Sequence, residues 1–257
     1  MISMQNTANL TGVSIRGDYY DSRSLVESFH DIAIDEYADK NQEYIDVSTR
    51  LLGICYDIRH AYQGDREILL TENGMDESTM KSRGIITSKQ NVYFQCNCLY
   101  PEMVYATIAI NALIRIRMTK LTKKVQLDYD AYYNKNVIWD TTIITLRSFQ
   151  SAFANCVREI LSPNQYSRWL NHVSSRYCRI DMLALQYLDF INISYLHMTR
   201  DKRLKLFNQY SKRIVDFQYD DEHMEIDQIV TEAAKEYNSP KSQIGFEGVE
   251  YPEIVEW

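Results

Sequence analysis

The stretch Tyr100-Pro101-Glu102-Met103-Val104-Tyr105-Ala106-Thr107-Ile108-Ala109-Ile110-Asn111-Ala112-Leu113-Ile114-Arg115-Ile116-Arg117 decides how the chain folds. Between Met103 and Ile116 its polar residues are Thr107, Asn111 and Arg115, each four positions after the last. At 3.6 residues per turn this spacing draws one narrow polar line along a helix that is apolar on every other side, and such a helix must be enclosed by other elements. Pro101 suits the first turn, where its missing N–H removes no helical hydrogen bond, and Glu102 complements the positive end of the dipole. A run of about fourteen apolar-rich residues, closed by Arg115 and Arg117, is too short to span a bilayer. A buried central helix follows, with Asn111 expected to hydrogen-bond to an element that covers it.

Around that helix, 257 residues are enough for a sizeable core, and only 8 Gly and 4 Pro argue against a sandwich or barrel of many short strands. Leu10 to Arg16 alternates and ends at Gly17-Asp18, which predicts a short strand and a turn. Asp21 or Ser22 caps a helix carrying Leu25, Val26, Phe29 and Ile32 on one face. A longer helix, from about Glu43 to Gln63, carries Val47, Leu51, Cys55, Ile58 and Tyr62 and is stopped by Gly64. Glu67 to Thr71 and Asn91 to Cys98 read as strands around an Asn73-Gly74 turn and a polar excursion. Further on, Trp139, Thr142, Leu146, Phe149, Phe153, Cys156 and Ile160 alternate steps of three and four, which predicts one buried seam of a long helix ending at Ser162-Pro163. Shorter helices follow over Ile180 to Ile193, Arg200 to Phe217 and Met224 to Tyr237. The expected fold is α+β and predominantly helical, a small antiparallel sheet in the N-terminal third packed with a C-terminal helical bundle. Its parts are an α+β layer over residues 1–100, a bundle over 101–240 and an acidic-aromatic tail over 241–257, forming one compact unit.

Charge is unevenly distributed. From Asp216 to the end there are twelve acids against Lys235 and Lys241, a balance of −10 that leaves +3 for the rest of a chain whose net charge is −7. The positive remainder clusters at Arg115, Arg117, Lys120, Lys123 and Lys124, and again at Arg200, Lys202, Arg203, Lys205, Lys212 and Arg213. The tail alternates Val249, Tyr251, Ile254 and Trp257 with glutamates. It is expected to dock by Tyr251 and Trp257, with its glutamates near one of those basic clusters. Five scattered cysteines and a start without signal-peptide character indicate a reduced, cytoplasmic setting. Cys96-Asn97-Cys98 is too closely spaced for a structural zinc pair and lacks a second pair, so the two thiols are expected on one face of a strand.

Gly12-Val13-Ser14-Ile15-Arg16-Gly17-Asp18-Tyr19-Tyr20-Asp21, together with Trp139-Asp140 and Tyr251-Pro252-Glu253, resembles an uncharacterised bacterial protein family of unknown function over most of the chain. The resemblance implies a bacterial or phage origin and brings no activity, cofactor or catalytic residue with it.

Phosphate-binding loops, dinucleotide turns, nucleophile elbows and paired CxxC motifs are all missing from the sequence. Three patterns remain. An acid stands three residues before a histidine at Glu27 and His30, Asp57 and His60, and Asp220 and His223, a spacing by which helical bundles present metal ligands. Composition alone supplies about 0.7 such pairs, and Asp57, His60 and Glu27 fall opposite the apolar seams of their helices, so solvated faces compete with the metal reading. Arg23 and His30, with six residues between them, resemble the motif of the HEPN ribonucleases, in which such a pair in a dimer cleft acts on RNA phosphodiesters; Ser24 departs from the residue type common after the arginine. Arg115, Arg117, Lys123 and Lys124 lie near Tyr129, Tyr132 and Tyr133, the combination that single-stranded nucleic acid needs, although basic helix ends are equally favoured by the helix dipole. The function expected from these residues is non-catalytic: a protein-binding or regulatory protein, with a protein partner or a second copy of itself, no cofactor and no membrane association, and phage defence or counter-defence as an expected setting. A nucleic-acid-acting enzyme, HEPN-like or metal-dependent, is the alternative.

Overall fold

The computed structural model describes residues 1–123, 129–246 and 250–257. Lys124 and Val249, named above, lie outside the described residues, as does Glu247, one of the twelve acids. The order of elements is β1 (Ser3–Asn6), β2 (Gly12–Gly17), α1 (Tyr19–Ile32), α2 (Ile45–His60), β3 (Glu67–Glu72), α3 (Glu77–Arg83), β4 (Gln90–Leu99), α4 (Tyr100–Thr122), α5 (Tyr129–Tyr132), α6 (Lys135–Ile138), α7 (Thr141–Ile160), α8 (Pro163–Val173), α9 (Leu185–Leu196), α10 (Arg200–Val215) and α11 (Asp221–Glu236). The chain is α+β and predominantly helical, and its four strands form one antiparallel sheet in the order β1-β2-β4-β3.

Sheet register follows from a close approach. Gly12 sits opposite Leu99, and a Cβ there would stand 1.9 Å from the carbonyl oxygen of Cys98, so only glycine lets β2 meet the end of β4. Cys96 and Cys98 lie on one face of β4 as expected, Cys96 buried and Cys98 partly so. β1 is four residues long with no clear alternation of apolar and polar residues, so local pattern does not mark it as a strand. The polar excursion between β3 and β4 holds a helix, α3, capped by Asp76 and closed by Gly84 in the left-handed region, φ 64°.

The central helix runs 23 residues and is enclosed by α1, α2, α6, α7, α8, α9 and α10. Its polar line is where covering elements are fastened. Asn111 donates to the carbonyl of Val173 at the end of α8 (3.0 Å) and accepts from Gln150 (3.1 Å) and Arg147 of α7. Gln150 also donates to the carbonyl of Thr107 at 2.8 Å, and Arg115 donates to that of Arg176 at 3.1 Å. No helix among the described residues is long and apolar enough to cross a membrane.

On α7, Thr142, Leu146, Phe149, Phe153 and Cys156 are buried as the seam predicts. Trp139 is not part of it and is 77% exposed. The helix starts only at Thr141, with Asp140 as its cap accepting from the amide of Ile143 at 2.9 Å, so Trp139 precedes the helical register that the spacing assumed. The stretch from Ile180 is likewise split into a 3-10 turn, Ile180–Met182, followed by α9.

Candidate functional site

Among the described residues, a cavity of about 1000 Å³ forms a groove between the loop after α1, the C-terminal half of α4 and the segment that follows α8. Each wall is fixed by a specific bond. The amide of Ile34 donates to Ser48 Oγ at 2.9 Å, which holds the loop against α2, and the Arg115 bond to the Arg176 carbonyl holds the far wall against α4. Ala112 and Ile116 of α4, one turn apart, give the groove an apolar floor together with Ile34 and Cys178.

Its rim is basic. Lys40, Arg115, Lys120, Lys123, Arg176 and Arg179 line it against two carboxylates, Asp35 and Asp39. Arg179 is neutralised by Asp181 at 2.7 Å. Among the described residues, Lys40, Lys120, Lys123 and Arg176 are in no ion pair, and with six rim cations against Asp35 and Asp39 the field in the groove is net positive. Tyr44 also lines the groove; burial first, and then the charge of Asp181, hold its hydroxyl above the ordinary range. The Cys178 thiol is pushed up to about 12 by burial, with Asp216 adding to the effect, and is no thiolate nucleophile at neutral pH.

The sequence-derived basic set is therefore divided. Arg115 and Lys123 line the groove, while Arg117 turns away and pairs with Asp140 (2.8 Å), which it helps to hold below the ordinary carboxylate range against the opposing effect of burial. Lys40, Arg176 and Arg179 were not singled out in the sequence. Arg176 stands alone after two serines, and nothing local indicates that it meets α4 across 61 positions.

The tail docks elsewhere. The Tyr251 hydroxyl donates to Asp189 (2.8 Å) and accepts from Asn192 (2.9 Å), beside Arg50, which binds both Glu102 and Asp189. Trp257 lines two cavities of about 430 and 300 Å³ next to Asp57 and Asn97. Thr11 Oγ1 donates to the carbonyl of Glu256 and accepts from Arg203 at 2.7 Å, so the last residues lie near one member of the second basic cluster. Among the described residues, Glu250, Glu253 and Glu256 form no ion pair with a lysine or arginine. Rings and backbone seat this segment, and the groove at Arg115 and Lys120 is left open.

The acid-and-histidine pairs do not converge. Glu27 pairs with Arg23 (2.8 Å) on the exposed face of α1, where His30 is also exposed. His60 pairs with Asp65 and Asp57 with Arg66, at 2.8 and 2.9 Å. His223, expected on a solvated face, is buried between Tyr187 and Phe217, and its Nε2 accepts from the amide of Ala184 at 3.1 Å. Asp220 caps α11 and pairs with Arg213 at 2.8 Å. Among the described residues no three His, Cys, Asp or Glu side chains come together in a metal-binding group.

No curated protein and no solved structure matches this chain. The family described as "Domain of unknown function (DUF6904)" matches residues 2–257, and the chain belongs to that family.

Proposed function

We propose that the chain is a non-catalytic binding protein that holds an acidic segment of a partner protein in the basic groove. The observation that carries this reading is the set of Lys40, Lys120, Lys123 and Arg176, cations in no ion pair among the described residues, around an apolar floor. Carboxylates of an extended segment would meet the rim and its aliphatic side chains the floor, a division of labour in which apolar anchors supply most of the affinity and charges supply orientation and on-rate. Among the described residues Tyr44 is the one ring on the groove wall and is half-buried, which suits a peptide better than successive stacked bases. The resemblance to a bacterial family sets such a module among bacterial or phage regulators and defence components, by analogy alone.

The test is fluorescence anisotropy with a labelled peptide of alternating glutamate and leucine, set against a neutral peptide and a single-stranded oligonucleotide of equal length. The parent is expected to bind the acidic peptide, and Lys120→Glu with Arg176→Glu to weaken that binding at least tenfold, which is about 1.4 kcal/mol. Preference for the oligonucleotide, with the steep salt dependence of phosphate contacts, would replace the protein partner by a nucleic acid. Indifference of peptide binding to the charge reversals would remove the groove from the function.

A further inference from the structure

β3 is the outer strand of the sheet and, among the described residues, its far edge is bare, unlike the opposite edge. There β1 is covered by α7, where Asn6 donates to the carbonyl of Cys156 at 3.1 Å. β3 pairs only with β4, from Glu67 opposite Gln95 to Glu72 opposite Gln90, and just past the strand the amide of Asn73 donates to the carbonyl of Lys89 at 3.1 Å. Hydrogen-bonded and non-hydrogen-bonded pairs alternate along an antiparallel ladder. Glu67, Leu69 and Thr71 therefore direct their backbone groups at β4, and Ile68, Leu70 and Glu72 direct theirs outward. Among the described residues, no hydrogen bond from another segment reaches those outward groups.

The same alternation puts the side chains of Ile68, Leu70 and Glu72 on one face, where Ile68 is 50% exposed and Leu70 60%, with Val92 of β4 opposite Leu70 and 45% exposed. An unpaired edge beside exposed aliphatic side chains is a template for another strand. We propose that this template is used by a second copy of the chain: β3 pairs antiparallel with the partner's β3 about a twofold axis at Leu69, joining two four-stranded sheets into one of eight.

Register selects this occupant. Only arrangements that match outward positions with outward positions can form the ladder, so the axis can move only in whole-residue steps that keep even positions opposite even ones. With the axis at Leu69, Ile68 lies opposite the partner's Leu70, Arg66 opposite the partner's Glu72 and Glu67 opposite the partner's Thr71, each contact occurring twice. Arg66 is extended (φ −129°) and half-exposed, so its backbone can continue the pairing beyond Glu67, and its guanidinium, which pairs with Asp57 of its own chain at 2.9 Å, would be shared with the partner's Glu72. Moving the axis to Ile68 sets Arg66 against the partner's Leu70, and moving it to Leu70 sets Ile68 against the partner's Glu72. One register alone matches apolar with apolar and cation with anion, and like charges directly opposite would be destabilising.

The experiment measures the mass of the full chain by light scattering at tens of micromolar, with four variants. The parent is expected at twice 30.3 kDa. Leu70→Lys and Leu70→Pro are expected at the monomer mass with unchanged circular dichroism, the proline because it removes an outward N–H and leaves the ladder to β4 intact. Leu69→Cys stands on the axis in a non-hydrogen-bonded pair, where Cα atoms are about 4.5 Å apart, and is expected to give a disulfide-linked dimer under a mild oxidant, whereas Thr71→Cys is not. A parent that stays at 30.3 kDa, or a dimer that survives both substitutions at Leu70 and fails to cross-link at Leu69→Cys, would overturn the proposal.

Discussion

Replacing Asn111 by leucine tests the joint on which the helical layer is assembled. The side chain makes three bonds to covering elements: it donates to Val173 at 3.0 Å and accepts from Gln150 at 3.1 Å and from Arg147. Leucine is close in volume and removes all three. The Gln150 amide is buried and keeps one partner, the Thr107 carbonyl, so its second N–H is stranded in the core. A stranded buried donor costs about 1–3 kcal/mol. The exposed Arg147 guanidinium can recover water, and the carbonyl of buried Val173 loses one donor, adding about 0.5 kcal/mol each. Leucine returns about 1 kcal/mol through apolar burial at a position that is only half-buried. The net destabilisation is about 1–3 kcal/mol, or about 2–4 °C in Tm for each kcal/mol in a chain of this size. Thermal and urea unfolding should both show it, and Gln150→Leu in the Asn111→Leu background should cost about 1 kcal/mol less than in the parent, because the stranded donor is then gone. An unchanged or raised Tm for Asn111→Leu, or strict additivity with Gln150→Leu, would refute the view that this polar line fastens α7 and α8 to α4.

Phe149→Ala, which opens a cavity where α1 meets α7 at the edge-to-face contact with Phe29 (5.4 Å), should destabilise by about 3–5 kcal/mol, whereas Trp139→Ala should stay within about 0.5 kcal/mol; equal effects by urea denaturation would contradict the assigned helix start. His223 should make stability sensitive to acid. Burial first, and Lys241 to a smaller degree, hold it below its ordinary value of 6.5, against the opposing charges of Asp227 and Asp220. A depressed folded pKa means that the stabilisation is complete above pH 6.5 and is lost as the pH falls from there through the folded value, because the unfolded chain takes up the proton first. The urea midpoint of the parent should accordingly fall more steeply between pH 7.5 and 5 than that of His223→Gln, and parallel profiles would assign the acid loss to other groups.

Local pattern determined much of this protein. Four-residue spacing of Thr107, Asn111 and Arg115 is enough to define a wrapped helix, since period alone says which side of an element is polar. In the same way the steps of three and four from Thr142 to Cys156 located a buried face, and the alternation around Cys96 located a strand. What pattern cannot say is which segment covers a face or where a cap shifts the register. Trp139 obeyed the spacing and lies in water because Asp140 starts the helix one residue later. His223 carries the same acid-and-histidine spacing as His60, yet one is sealed between Tyr187 and Phe217 and the other sits beside Asp65 near the surface. The basic groove is the clearest case: Arg115 and Lys123 were visible as charges, but their union with Lys40 and Arg176 depends on contacts between segments tens of residues apart. Those contacts are set by how apolar faces pack around α4, a property of the whole chain that no window of its sequence contains.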